Sequence, residues 1–154
     1  MIAVQSLHRP RVSHLERRGL TGFLEIHAEL LAKIKPYLGL AENLGKLISQ
    51  IAEGAIKSIH IHYNGEVSKL KVDPLTVTIL QGLFSRTIDG VNMVNAPFIA
   101  KERDVEVQET KSNEIQDYTS TIGVKVATNK GSRDLVGSLS GKGTPRIVKI
   151  DAFD

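Results

Sequence analysis

Twenty residues, 91–110, constrain the architecture of this chain more than any other stretch, because three elements and their junctions are compressed into them. Val91, Met93 and Asn95 alternate with Asn92 and Val94, a period of two that predicts a strand. The run halts at Asn95-Ala96-Pro97, where the proline ring fixes φ and removes a ladder donor. Pro97 suits the first position of a helix, so Phe98, Ile99 and Ala100 followed by Lys101, Glu102 and Arg103 predict a short helix with an apolar face and a charged exit. Val105 and Val107 then alternate with Glu106 and Gln108, the pattern of a half-buried strand. The unit is strand, short helix, strand.

The rest of the chain extends this unit in both directions. From Leu20, apolar residues at 20, 23, 24, 30, 31 and 34 form a helical face with Thr21 as its N-cap, and the helix is expected to end at Lys35 before Pro36. Pro36 opens a second helix whose stripe is Leu38, Leu40, Ala41, Leu44, Leu47, Ile48 and Ile51, with Gly54 placed to end it. Ile59, Ile61 and Tyr63 alternate with Ser58, His60 and His62 up to an Asn64-Gly65 turn, which gives a strand with one dry and one wet face. Asp73-Pro74 reads as a cap and N1 proline for a third helix carrying Leu75, Ile79, Leu80, Leu83 and Phe84. After residue 110 the chain is a meander: a polar loop over 111–116, a strand at Ile122, Val124 and Val126, a turn at Asn129-Lys130-Gly131, and strands over 135–139 and 146–150. Helix, strand, helix and then strands in hairpin succession predict an α+β, two-layer fold, a mixed β-sheet with helices mainly on one face.

Composition narrows the function classes. At 154 residues the chain is one domain by length. With no cysteine it has no disulfide, thiolate nucleophile or Cys-type zinc site, in keeping with a reducing compartment. No apolar run approaches the roughly 18–20 residues of a membrane span. The net charge of +3 sits in residues 1–35, where Arg9, Arg11, Arg17, Arg18, Lys33 and Lys35 face Glu16, Glu25 and Glu29. The remainder is balanced, so the excess is a basic arm over 1–18 rather than the basic field of a nucleic-acid binder. Such an arm either stays loose or crosses to a partner subunit.

Few residues carry a chemical signal. His60 and His62, two apart on a strand, share a face as some metal ligands do, but no third ligand is indicated and a solvated face or subunit contact is expected. His8, His14 and His27 have no partner at a diagnostic spacing. Gly141-Lys142-Gly143-Thr144 lacks the earlier glycine and the following helix of a nucleotide-binding loop. What survives is weaker: a glycine hairpin exposing backbone donors, with Lys142, Arg146 and Lys149 close enough in sequence to favour a small anion. Arg146 shares strand parity with Val148 and Ile150 and can hold a carboxylate or phosphate in two-point fashion or cover the core edge with its stem; by the same parity Lys149 points the other way. A solvated lysine-bearing hairpin accounts for the same residues. Lys101 and Arg103 suit either a solvated helix exit or a contact with another domain. No nucleophile elbow, zinc-protease helix or dinucleotide fingerprint occurs.

One resemblance organises these observations. Pro36-Tyr37-Leu38, the run 40–47, Val94-Asn95-Ala96-Pro97, 100–103, Glu109-Thr110-Lys111, Asp117-Tyr118-Thr119 and Pro145-Arg146-Ile147-Val148 resemble, in order and spacing over roughly 28–153, the intervening domain of long-form D-3-phosphoglycerate dehydrogenase. That domain, also called the allosteric substrate-binding domain, has a relative in bacterial L-serine dehydratases. The resemblance implies a mixed sheet with helices, cytoplasmic L-serine biosynthesis, homo-oligomers, and a site for a small anionic effector, phosphate or phosphoglycerate-like, using basic side chains around the last strands. Arg146 matches a basic position of that site, and Lys142 and Lys149 join it by proximity. NAD is implied for the parent dehydrogenase and no cofactor for this chain, which is expected to be noncatalytic by itself. Residues 1–27 do not match, so 28–154 is expected to be the domain proper. Two alternatives stay open: an oligomerisation module without a ligand, and the corresponding domain of a serine dehydratase, although the latter's iron–sulfur cluster would lack cysteine ligands here.

Overall fold

The structure is a computed structural model that describes the backbone of residues 14–113, 120–139 and 143–151, with side chains from residue 32 onward in those ranges. The arm before His14, the Asp117-Tyr118-Thr119 segment and Lys142 lie outside the described residues. The chain divides into two compact units, Met1–Lys33 and Ile34–Asp154. In the first, only the helical backbone from His14 onward is described. The second holds the sheet and its core.

The elements are α1 (His14–Ile51), β1 (Ile56–Gly65), a 3-10 turn (Glu66–Lys69), α2 (Asp73–Ser85), α3 (Ala96–Glu102), β2 (Glu106–Ser112), β3 (Ser120–Thr128), β4 (Gly131–Leu139) and β5 (Pro145–Ile150). Their sheet order is β2-β1-β3-β4-β5, with β1 and β2 parallel and every other neighbouring pair antiparallel. The parallel pair follows from the connection between its strands: α2 and α3 lie between β1 and β2, and a parallel neighbour needs such a crossover. The mixed sheet and two-layer α+β arrangement are those expected.

Alternation along the strands sorts side chains between two faces. Ile59, Ile61, Tyr63, Ile122, Val124, Val126 and Leu135 are buried on one face, and Leu40, Leu44 and Ile48 of α1 with Leu75, Ile79 and Leu83 of α2 complete the core. Each large aliphatic side chain so buried contributes about 1.5–3 kcal/mol of transfer free energy. Two glycine contacts show how closely the elements approach one another. A Cβ on Gly137 of β4 would lie 2.6 Å from Leu40 Cδ1, and one on Gly45 of α1 would lie 2.6 Å from the Ile79 carbonyl oxygen of α2.

The helical run 20–54 departs from expectation. Instead of two helices meeting at Pro36, α1 runs through the proline from His14 to Ile51, and Thr21 lies inside it rather than capping it. Pro36 removes one donor and disturbs the carbonyl of Ala32, but Ala32 and Pro36 are both exposed, so water can satisfy what the helix loses. The helix α2 keeps its early proline, but its N-cap is Val72 and Asp73 is its first residue. Lys111 and Ser112, expected in a loop, extend β2.

The strand expected over 91–95 is a turn. Asn92 Oδ1 accepts from the N–H groups of Val94 at 2.8 Å and Asn95 at 3.0 Å, while Asn95 Oδ1 accepts from the Asn92 N–H at 2.7 Å. Asn95 Nδ2 also donates to the carbonyl of Gly90 at 3.0 Å. Two asparagines three apart thus satisfy the backbone locally and outcompete a ladder, as such side chains do in turns. The short helix behind Pro97 forms as expected, burying Ala96 and Ala100.

Candidate anion-binding site on the open face of the sheet

The second face of the sheet is formed by the residues that alternate with the core. Cross-strand pairs share a face, so the register lays them out in rows. One row runs Ser112, Asn64, Thr121, Ser138, Arg146 across all five strands in sheet order. The next runs Thr110, His62, Gly123, Val136, Lys149. A third begins Gln108, His60, Lys125, Asp134. This face is polar and rich in small side chains at its centre, where Gly123 leaves the floor between His62 and Val136 at backbone level.

The last strand holds the decisive irregularity. On β4 and β5 the register shifts between Val136 and Gly137: Arg146 lies opposite Ser138, Ile147 opposite Gly137, and Lys149 opposite Val136. Val148 is the extra residue of a β-bulge. Val136 and Ser138 are two apart and face the same way, so Arg146 and Lys149 also face the same way. Simple alternation, which sends Lys149 to the opposite side and joins Arg146 to Val148 and Ile150, is overturned by that one added residue. Ile147, not Arg146, packs against the core, and Ile150 opposite Leu135 is 55% exposed. Both basic side chains are exposed. Two cations on one edge strand, three residues apart in sequence and on one face, can bracket a small anion.

His60 and His62 are exposed on the same face but turn toward β2 rather than toward each other's open nitrogens. His60 Nε2 lies 2.6 Å from Thr110 Oγ1, and His62 Nε2 lies 2.8 Å from Ser112 Oγ, which itself donates to Asn64 Oδ1 at 2.9 Å. No group of three or more metal-ligating side chains occurs among the described residues. Farther along the first row, Ser138 Oγ donates to the Ser120 carbonyl at 2.8 Å, so its acceptor capacity remains beside Arg146. The row residues Asn64, Thr121 and Ser138 are buried, a signal the sequence alone does not carry: Asn64 reads as a turn residue and Thr121 precedes the expected strand, yet both lie within strands.

Lys101 and Arg103 stand elsewhere. They lie at the exit of α3, in the helix layer, both exposed and without a salt bridge among the described residues. The fold does not bring them to the polar face that carries Arg146 and Lys149.

The arrangement has known relatives. The family model described as the D-3-phosphoglycerate dehydrogenase intervening domain matches residues 33–151. A D-3-phosphoglycerate dehydrogenase of Methanocaldococcus jannaschii is 35% identical over 130 residues, covering 84% of this chain and 24% of the relative. Those of Synechocystis sp. and Bacillus subtilis are 35% and 33% identical, over 81% and 80% of this chain and 23% and 24% of their own lengths. The chain therefore spans about a quarter of the length of the relatives it matches. Family and curated relatives converge on one domain, over the same span that holds the sheet and its helices, and the chain belongs to the family of the D-3-phosphoglycerate dehydrogenase intervening domain.

Proposed function

We propose that this domain is a noncatalytic regulatory module that binds a small anionic effector, phosphate or phosphoglycerate-like, on the open face of the sheet, with Arg146 and Lys149 as its ligands. The observation that carries the reading is the bulge at Val148, which sets the two cations on one face. Lys142, three residues before β5 in the sequence, is the third basic group of the proposal. The parent would be an NAD-dependent D-3-phosphoglycerate dehydrogenase of L-serine biosynthesis, cytoplasmic and homo-oligomeric, with the cofactor held by other parts of that protein. No helix among the described residues is long and apolar enough to cross a membrane. Effector binding would act through differential affinity for two arrangements of the parent's domains.

Isothermal titration of the chain with inorganic phosphate and with 3-phosphoglycerate tests the site, with serine as a comparison ligand. Binding is expected to fall about tenfold or more for Arg146→Ala and for Lys149→Ala, since each removes a charge-assisted hydrogen bond. Equal binding by both variants sinks the assignment, and no binding by the wild-type chain sinks the effector reading. Mixed with NAD and 3-phosphoglycerate, the chain alone is expected to form no NADH.

A further inference from the structure

We propose that two copies of this chain join edge to edge through β2, antiparallel, in the register that sets Thr110 opposite the Thr110 of the second copy. The sheet has two edges, and they differ. On β5, Pro145 lacks a donor and the bulge at Val148 bends the strand, two devices that discourage further pairing. On β2, seven residues pair with β1 without a register shift, and the strand has neither proline nor glycine. Among the described residues no other segment makes a backbone hydrogen bond to β2. An unbroken strand edge is a template for another strand.

Room for a partner follows from exposure. Glu109 and Lys111 pair with Ile61 and Tyr63, so they belong to the helix side of the sheet, yet both are exposed. One carboxylate oxygen of Glu109 accepts from Thr76 of α2, yet the residue stays exposed, so the helices leave the outer edge of β2 uncovered. On the open side Thr110 is already oriented, its hydroxyl 2.6 Å from His60 Nε2.

Symmetry and charge then select one register. A two-fold axis perpendicular to the sheet keeps helix side with helix side, so residues of like parity must oppose one another and one residue must face its own copy across the axis. Centring on Glu109 or on Lys111 sets like charges face to face, and centring on Gln108 sets Val107 against Glu109. Centring on Thr110 places Glu109 of each copy opposite Lys111 of the other, twice, with Gln108 opposite Ser112 and threonine opposite threonine. Opposite charges and Thr–Thr pairs are the favourable cross-strand combinations.

Sedimentation and light scattering of the full chain over a wide concentration range test the proposal, with circular dichroism to confirm folding. A concentration-dependent dimer is expected. Lys111→Glu is expected to weaken it about tenfold or more, because two opposite-charge pairs become like-charge pairs. The double variant Glu109→Lys with Lys111→Glu is expected to recover it, since both pairs are restored with their signs exchanged. Hydrogen exchange needs no variant: the β2 amides should slow as the concentration rises. A monomer at every concentration, an oligomer that Lys111→Glu leaves unchanged, or a double variant no tighter than Lys111→Glu overturns the proposal.

Discussion

Arg133 grips Asp151 where the sheet ends: its Nε lies 3.0 and 2.8 Å from the two carboxylate oxygens and its Nη2 lies 2.8 Å from Oδ2. The same guanidinium donates through Nη1 to the Ile51 carbonyl at the end of α1, at 2.9 Å. Asp151 accepts from the Asp134 N–H at 3.1 Å and donates its own N–H to the Asp134 carbonyl at 2.7 Å. One arginine thus ties the end of β5 to β4 and to α1, and it holds Asp151 at a φ of +50° that few non-glycine residues adopt.

This clasp predicts an acid sensitivity. The hydrogen bond from Arg133, followed by that from the Asp134 backbone, holds the Asp151 pKa below its ordinary value of 3.8. A carboxyl whose folded pKa is depressed contributes stability that is complete above its unfolded pKa and is lost as pH falls through its folded one. Urea denaturation from pH 6 downward should therefore show stability declining below about pH 4. Asp151→Asn should make that decline shallower, and an unchanged slope would assign the acid sensitivity to other carboxyls.

Glycine contacts between α1 and α2 give a prediction in sign. In an open helix Gly→Ala stabilises by roughly 0.5–1 kcal/mol. Gly39→Ala should do so, its new Cβ meeting only Pro145 Cγ at 3.7 Å. Gly45→Ala should instead destabilise by about 1–3 kcal/mol, because its Cβ would meet backbone of α2 that cannot move aside. Thermal unfolding of the two variants in parallel checks both signs.

Among the described residues Tyr63 is the largest fully buried side chain, and its hydroxyl lies 2.7 Å from Thr76 Oγ1, which in turn donates to Glu109. Burial pushes the phenol pKa well above its ordinary value, so the hydroxyl stays protonated. Tyr63→Phe should cost about 1 kcal/mol, since Thr76 keeps its bond to Glu109. Thr76→Val leaves the buried hydroxyl without that partner and should cost more, about 1–3 kcal/mol. Equilibrium denaturation that ranks the two in the reverse order would rule out this relay.

Asn92 organises the turn before α3, its side chain receiving two N–H groups and its carbonyl receiving that of Ala96 at 3.0 Å. Asn92→Ala should cost about 1 kcal/mol, in the range of a lost cap. Asn92→Asp, which keeps the acceptor, should cost less. Hydrogen exchange at Val94 and Asn95 reports the effect locally.

Much of this domain was legible from local pattern. The alternation of Ile59, Ile61 and Tyr63 with His60 and His62 predicted a strand with its dry and wet faces, because burial on one side of a pleat requires that period. Pro74 and Pro97 marked helix starts, because a proline there loses a donor that has no intrahelical partner. The alternation at 91–95 misled because the asparagine side chains, and not the apolar residues, supplied the backbone with partners. Pro36 misled because an exposed helix interior tolerates a lost donor.

By itself, then, the sequence determined the fold class, most of the strands and helices and, through spaced motifs, the family, since these rest on local periodicity and on residues with fixed backbone preferences. Only the tertiary structure decided which face each residue of β5 presents. Parity within a strand holds until a residue is added, and whether Val148 is added depends on the pairing of β5 with β4, a relation between distant segments. The same holds for the buried row Asn64, Thr121 and Ser138, and for the contact of Gly45 with Ile79: each is set by what another element places against it.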